Sequence, residues 1–101
     1  MNSSLFDKRP FVVNAKTTTV YDVYVGRPSK WGNPFKLKAD TFEERAKVLR
    51  LYEQWLLGLV LTTQKPPKIA DIKRELRGKV LACYCAPKPC HAEVLARIAN
   101  E

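Results

Sequence analysis

The nine residues Cys83-Tyr84-Cys85-Ala86-Pro87-Lys88-Pro89-Cys90-His91 hold all three cysteines and the one histidine of the chain, and they constrain its fold more than any other stretch. Val80-Leu81-Ala82 ahead of them is a short apolar run bounded by turn residues, the pattern of a strand covered on both faces. Side chains two apart in a strand share a side, so Cys83 and Cys85 should point to one face. Pro87 and Pro89 end the strand. Pro89 also suits the first turn of a helix, where a missing N–H costs nothing. The chain must therefore pass from buried strand through a turn into a helix that starts near Cys90 and His91 and runs to about Asn100. Val94, Leu95, Ile98 and Ala99 mark the inward face of that helix. Its start offers free N–H groups and partial positive charge, which attract an anion and favour a thiolate.

Earlier in the chain, residues 1–15 read as a loose N-terminal segment with a possible edge strand at Phe11–Asn14, and residues 16–101 as a single domain. Thr17–Val25 is the strongest strand signal, rich in β-branched and aromatic residues. Thr41-Phe42-Glu43-Glu44 is a capping box. In it the Thr41 hydroxyl accepts from the Glu44 N–H while the Glu44 carboxylate reaches back to Thr41. The helix it opens is expected to reach about Leu57. Phe42, Ala46, Leu49, Tyr52, Leu56 and Leu59 lie at helical spacing, Arg45, Lys47 and Arg50 on the solvated side, and Gly58 as the stop. After the linker 62–67, a second helix runs from about Lys68 to Leu76 on the stripe Ile69, Ile72 and Leu76. The order strand, helices, strand, helix predicts an α/β domain in which Tyr21–Val25 and Val80–Tyr84 are parallel neighbours. Ligands of such open sheets bind beyond the carboxyl ends of the strands. The loop 27–35 and the turn 85–91 both follow strand ends, so both belong on that rim.

Composition narrows the class. The net charge of +8 favours polyanionic partners such as nucleotides or nucleic acid, although basic residues spread along the chain equally serve solubility. No apolar run approaches the ~20 residues that cross a bilayer, and the first residues lack a signal-peptide pattern. An odd number of cysteines fits reduced thiols rather than a disulfide framework, so a cytoplasmic location without membrane contact is expected.

Two motifs, Gly26-Arg27-Pro28-Ser29-x-x-Gly32-Asn33-Pro34-Phe35 and Cys83-x-Cys85-x-Pro87-x-x-Cys90-His91-x-Glu93-x-Leu95, resemble those of the domain of unknown function 4326 family of bacteria and phages. The resemblance spans residues 20–100. The second motif is also similar to that of domain of unknown function 488. The resemblance implies a small Rossmann-like open sheet of about three strands, mainly parallel, with about three helices. It also implies a site on the two motifs, but no established reaction.

The residues themselves suggest what that site can do. In the first loop Arg27 and Lys30 can hold phosphate, Trp31 can stack a base, and Ser29, Gly32 and Asn33 can meet a base edge or ribose. Against this, Trp31 and Phe35 can equally plug the core beneath a long loop. In the second motif His91 is the acid/base candidate and Glu93 can supply a carboxylate near an oxocarbenium-like centre. Glu93 equally suits a helix dipole. Cys90 is a candidate nucleophile, with small buried core residues as the plainer account of the cysteines. The leading expectation is a nucleotide-, nucleoside- or base-binding domain, with glycosidic-bond chemistry as its catalytic extension. One alternative is a non-catalytic basic protein that engages a host protein or nucleic acid. The other is a structural zinc site on Cys83, Cys85, Cys90 and His91, against which the C-x-C and adjacent Cys-His spacing counts. No organic cofactor is implied.

Overall fold

Three parallel strands form an open sheet in the order β1-β3-β2, in a computed structural model that describes residues 12–84 and 90–101. The central strand β3 (Leu81–Cys83) is buried throughout. On one side it pairs with β1 (Val12–Asn14), with Val12 against Leu81 and Asn14 against Cys83. On the other it pairs with β2 (Val23–Tyr24), with Val23 against Leu81. The apolar run ahead of the cysteines is thus the middle of the sheet, as its unbroken hydrophobicity requires. Asp22 pins the entry of β2: its N–H donates to the Val80 carbonyl (2.9 Å) and its Oδ2 accepts from the Val80 N–H (2.7 Å).

The strand expected over Thr17–Val25 is much shorter in the fold. A three-residue central strand has no length to pair with nine residues, and Asn14 turns the chain immediately after β1. The Asn14 carbonyl accepts from the N–H groups of Thr17 and Thr18, and its Oδ1 from that of Lys16. Val20 is consequently exposed. The edge strand does form at Val12–Asn14. Phe11, the loose N-terminal segment and the strand-ending prolines lie outside the described residues.

Among the described residues there are three helices, α1 (Phe42–Leu56), α2 (Ile69–Leu76) and α3 (His91–Ala99); α3 packs on β1 and β3, and α1 and α2 pack against α3. Thr41 caps α1 as its sequence indicates, accepting from the Glu44 N–H at 3.1 Å. The other half of the capping box is redirected, because the Glu44 carboxylate accepts from the Lys38 N–H instead (3.0 Å). At the far end Gly58 takes a positive φ of 79° and closes a Schellman turn. Its N–H donates to the Trp55 carbonyl, and that of Leu59 to Gln54.

The buried stripe of α1 is Val48, Tyr52, Trp55 and Leu56. Phe42 was expected inward, but it sits about a quarter turn from the centre of that stripe at ~100° per residue and is exposed. Leu59 lies past the Schellman turn and is exposed too. The helices α2 and α3 follow their expected stripes, with Ile72 and Leu76 buried on one and Val94, Leu95, Ile98 and Ala99 on the other. Arg77 ties their ends by donating to the carbonyls of Ala99 (2.8 Å) and Glu101 (2.7 Å). The core lies between sheet and helices and draws Trp31 in from the loop after β2. Among the described residues no helix is long and apolar enough to cross a membrane.

Candidate functional site

The chain leaves β2 at Val25 and folds at once into two successive turns. The Ser29 N–H donates to the Gly26 carbonyl (2.9 Å) around a cis Arg27–Pro28 bond, and the Gly32 N–H donates to the Ser29 carbonyl (3.0 Å). Both glycines of the motif are explained by close approach. A Cβ on Gly26 would collide with the Tyr24 hydroxyl, and one on Gly32 would lie 2.8 Å from Cγ of Arg27. The missing side chains let the Tyr24 ring fold back over the loop, where its hydroxyl donates to the Arg27 carbonyl (3.0 Å), and let the Arg27 stem lie against the backbone. Asn33 is buried and structural. Its Oδ1 accepts from the Phe35 N–H (2.8 Å) and its Nδ2 reaches the Val48 carbonyl of α1 (3.5 Å). The Tyr52 hydroxyl donates to the Trp31 carbonyl at 2.6 Å and fastens the loop to α1 from below.

A cleft of about 250 Å³ opens where this loop meets the end of β3 and the start of α3. Tyr24, Phe35 and Tyr84 give it aromatic walls, Arg27 and Arg45 give it cations, and Cys83, Cys90 and His91 line it from the central strand and α3. It sits beyond the carboxyl ends of β2 and β3, the ordinary ligand position of an open parallel sheet. Tyr24 and Tyr84 meet edge to face, with centroids 5.6 Å apart.

His91 is held on two sides. Its Nε2 lies 2.7 Å from the Val25 carbonyl, which can only accept, so Nε2 carries the proton and Nδ1 is left with a lone pair. Nδ1 is 3.6 Å from the Cys90 sulfur. The Tyr52 ring packs edge-on against the imidazole, with centroids 5.3 Å apart. Burial lowers the His91 pKa below 6.5. The Val25 bond opposes that shift and the Arg27 charge adds to it, so the ring is neutral at pH 7. Burial likewise raises the Tyr52 hydroxyl well above 10, with Cys90 contributing.

Of the residues singled out in the sequence, Arg27, Asn33, Cys90 and His91 come together around this cleft. Ser29 and Gly32 do not. They line a second hollow of about 270 Å³ with Arg27, Pro28, Asn33, Pro34 and Gln64. Trp31 is only 4% exposed and packs in the core, so the plug is its place and no face is left for stacking at the cleft. Lys30 lines neither space. Its ammonium bonds Glu75 at 3.0 Å and lies 4.7 Å from the Trp31 ring centroid. Glu93 is exposed on α3 and lines neither hollow. No group of three metal-ligating side chains converges among the described residues, and Cys85 of the zinc alternative lies outside them.

Sequence reasoning missed Tyr24, Tyr84 and Arg45. The two tyrosines read as strand residues. Arg45 was placed on the solvated side of α1, yet its side chain is only 13% exposed and its Nε donates to Asp40 at 2.7 Å. The signal was its spacing: 45, 48, 49 and 52 share one helical face, so a cation on the apolar stripe pointed inward.

The family model of the domain of unknown function (DUF4326) matches residues 12–101. The chain is 33% identical over 90 residues to an uncharacterized 12.4 kDa protein in the nrdA-td intergenic region of Enterobacteria phage T4, an alignment covering 88% of this chain and 76% of that protein. No solved structure gives a significant match. The chain belongs to the DUF4326 family.

Proposed function

Taking membership of that family as the premise, we propose that the cleft binds a nucleoside or nucleotide, with the base among Tyr24, Phe35 and Tyr84 and the phosphate on Arg27. The observation that carries this reading is the meeting of three aromatic residues with Arg27 and Arg45 around one opening at the carboxyl ends of parallel strands. Base-on-aromatic contacts are worth about 1–3 kcal/mol each, and arginine is the residue best shaped to fork onto phosphate. A volume of about 250 Å³ is at the small end of ligand sites, which favours a single base or mononucleotide over a dinucleotide. The net charge of +8 adds long-range attraction for such anions.

Glycosidic-bond chemistry is the catalytic extension of this proposal. His91 is its proton-transfer group, because Glu93 is exposed and away from the cleft. Similarity to a phage protein supports a bacterial host cell as the place of action.

A thermal-shift and calorimetry panel of free bases, nucleosides and mononucleotides tests the reading. A ligand at a hundredfold its Kd adds about 2.7 kcal/mol, a rise in Tm of roughly 10 °C or more for a domain of this size. Arg27→Ala should weaken a mononucleotide about tenfold or more while changing its nucleoside little. Silence across the panel, or equal loss for both ligands, overturns the proposal. Chromatography of the same mixtures for released base tests the catalytic extension.

A further inference from the structure

Arg27 stands on the wall between the cleft and the second hollow, lining both together with Asn33. Its place is fixed from two sides. The Tyr24 hydroxyl donates to its carbonyl at 3.0 Å, and the bare Cα of Gly32 leaves room for its stem, since a Cβ there would lie 2.8 Å from Arg27 Cγ. The residue is exposed, and its guanidinium forms no ion pair or hydrogen bond among the described residues, whereas Arg45 bonds Asp40 and Lys30 bonds Glu75. Its positive charge is felt by His91 in the cleft. A planar cation so placed can fork onto one phosphate while the groups on either side of that phosphate enter different hollows. The second hollow has the parts to receive one of them. Pro28 and Pro34 give it rigid apolar surface. The Ser29 Oγ accepts from the Trp31 N–H (3.3 Å), and its own O–H is left to donate. Gln64 is engaged through its backbone alone: its carbonyl accepts from Trp55 Nε1 at 3.1 Å and its N–H donates to Thr62. The buried Trp55 indole thus anchors the segment that carries Gln64, and the Gln64 side-chain amide remains for a ligand.

We infer that the protein takes two successive nucleotides of a single nucleic-acid strand, one base in the cleft, the next in the second hollow, and the phosphodiester that joins them on Arg27. The inference rests on the nucleotide reading of the cleft and extends it from a free mononucleotide to a polymer. Neighbouring bases of a duplex are stacked and paired, so they do not part to opposite sides of an arginine, whereas those of a single strand splay apart readily. Tyr84 of the cleft is 55% exposed, with the Lys16 ammonium 5.8 Å from its ring centroid. Exposed aromatic rings beside cations are the surface on which unpaired bases stack. Lys36 and Lys38 flank Leu37 of the cleft and Lys65 follows Gln64 of the hollow, all exposed, so cations stand beside both spaces for the phosphates further along the strand. A pyrophosphate-linked dinucleotide fits less well, because it brings two phosphates to a dividing wall that offers one guanidinium.

Calorimetry at low salt compares each mononucleotide with the dinucleoside monophosphate and the hexanucleotide of the same base, in ribo and deoxy forms that distinguish RNA from DNA as the strand. The dinucleotide should bind about tenfold more tightly than the mononucleotide, the gain expected of one further base contact. The hexanucleotide should bind more tightly again and weaken steeply with salt, and Arg27→Ala should reduce that salt slope by about one phosphate contact. Ser29→Ala combined with Gln64→Ala should remove most of the advantage of the dinucleotide over the mononucleotide, because these residues line the second hollow and not the cleft. A mononucleotide that binds with no gain from the second nucleotide overturns this inference and leaves the reading of the cleft standing, whereas silence from mononucleotides and oligonucleotides alike overturns both. Equal affinity for a hairpin duplex, tighter binding of a pyrophosphate-linked dinucleotide, or an advantage that survives in the folded double variant also overturns it. Should the double variant fail to fold, the comparison of ligands on the wild-type protein decides the matter alone.

Discussion

Removing the Tyr52 hydroxyl tests how the site is held. Tyr52→Phe keeps the ring against His91 and Trp55 and deletes one oxygen, whose hydrogen bond to the Trp31 carbonyl spans 2.6 Å. Tyr52 is fully buried, and no buried side-chain polar atom among the described residues lacks a partner. The Trp31 carbonyl loses a donor that water cannot easily replace, so the cost combines a lost bond with an unsatisfied acceptor, about 1–2 kcal/mol. Urea unfolding should show a lower midpoint at unchanged slope, and Tm should fall by about 4–8 °C for each kcal/mol.

The pH dependence gives an independent check. The folded Tyr52 pKa lies above the unfolded value of 10.0, so its contribution is fully present below pH 10. It is lost as the pH rises further, because the unfolded chain then gives up a proton that the folded chain retains. The stability gap between wild type and variant should therefore narrow above pH 10. An unchanged midpoint, or a gap that widens in alkali, would refute the claim that this hydroxyl fastens the loop to α1.

Other perturbations probe the same corner. Gly26→Ala puts a methyl against the Tyr24 hydroxyl and should destabilise by about 1–3 kcal/mol, shifting the near-ultraviolet tyrosine dichroism as the ring is displaced. Trp55→Ala removes a fully buried indole that donates to Thr62 and to the Gln64 carbonyl, both at 3.1 Å, and should cost about 3–5 kcal/mol in urea unfolding. Stability should decline as the pH falls below about 6.5, because the unfolded His91 takes a proton there that the folded ring resists. His91→Asn should flatten that decline, measured as the urea midpoint from pH 7.5 to 5. Lys30→Met should change mononucleotide affinity less than twofold by calorimetry, since Lys30 lines neither hollow.

The central strand, the Thr41 cap, the Gly58 stop and the inward face of α3 were legible because each depends on neighbours within a few residues. Apolar runs, hydroxyls at N-caps and glycines at positive φ act locally. The shared rim of the two motifs was legible as well, since it follows from parallel order alone. Trp31 was not. Beside Arg27 and Lys30 it reads as a stacking platform, whereas in the fold it packs in the core and its carbonyl accepts from Tyr52, 21 residues away. Arg45 shows the converse: its charge suggested the solvated face, whereas the orientation of α1 brings its stem to the cleft wall.

Local chemistry by itself determined that this chain would form a short parallel α/β domain and where its strands would end, because periodicity and turn residues act over a few positions. Which side chains occupy the space beyond those ends was decided only in three dimensions. The imidazole proton is placed by a carbonyl 66 residues away in the chain, and the aromatic walls of the cleft come from two strand ends and a loop. Contacts of that range depend on how sheet and helices dock, and no short stretch of residues encodes them.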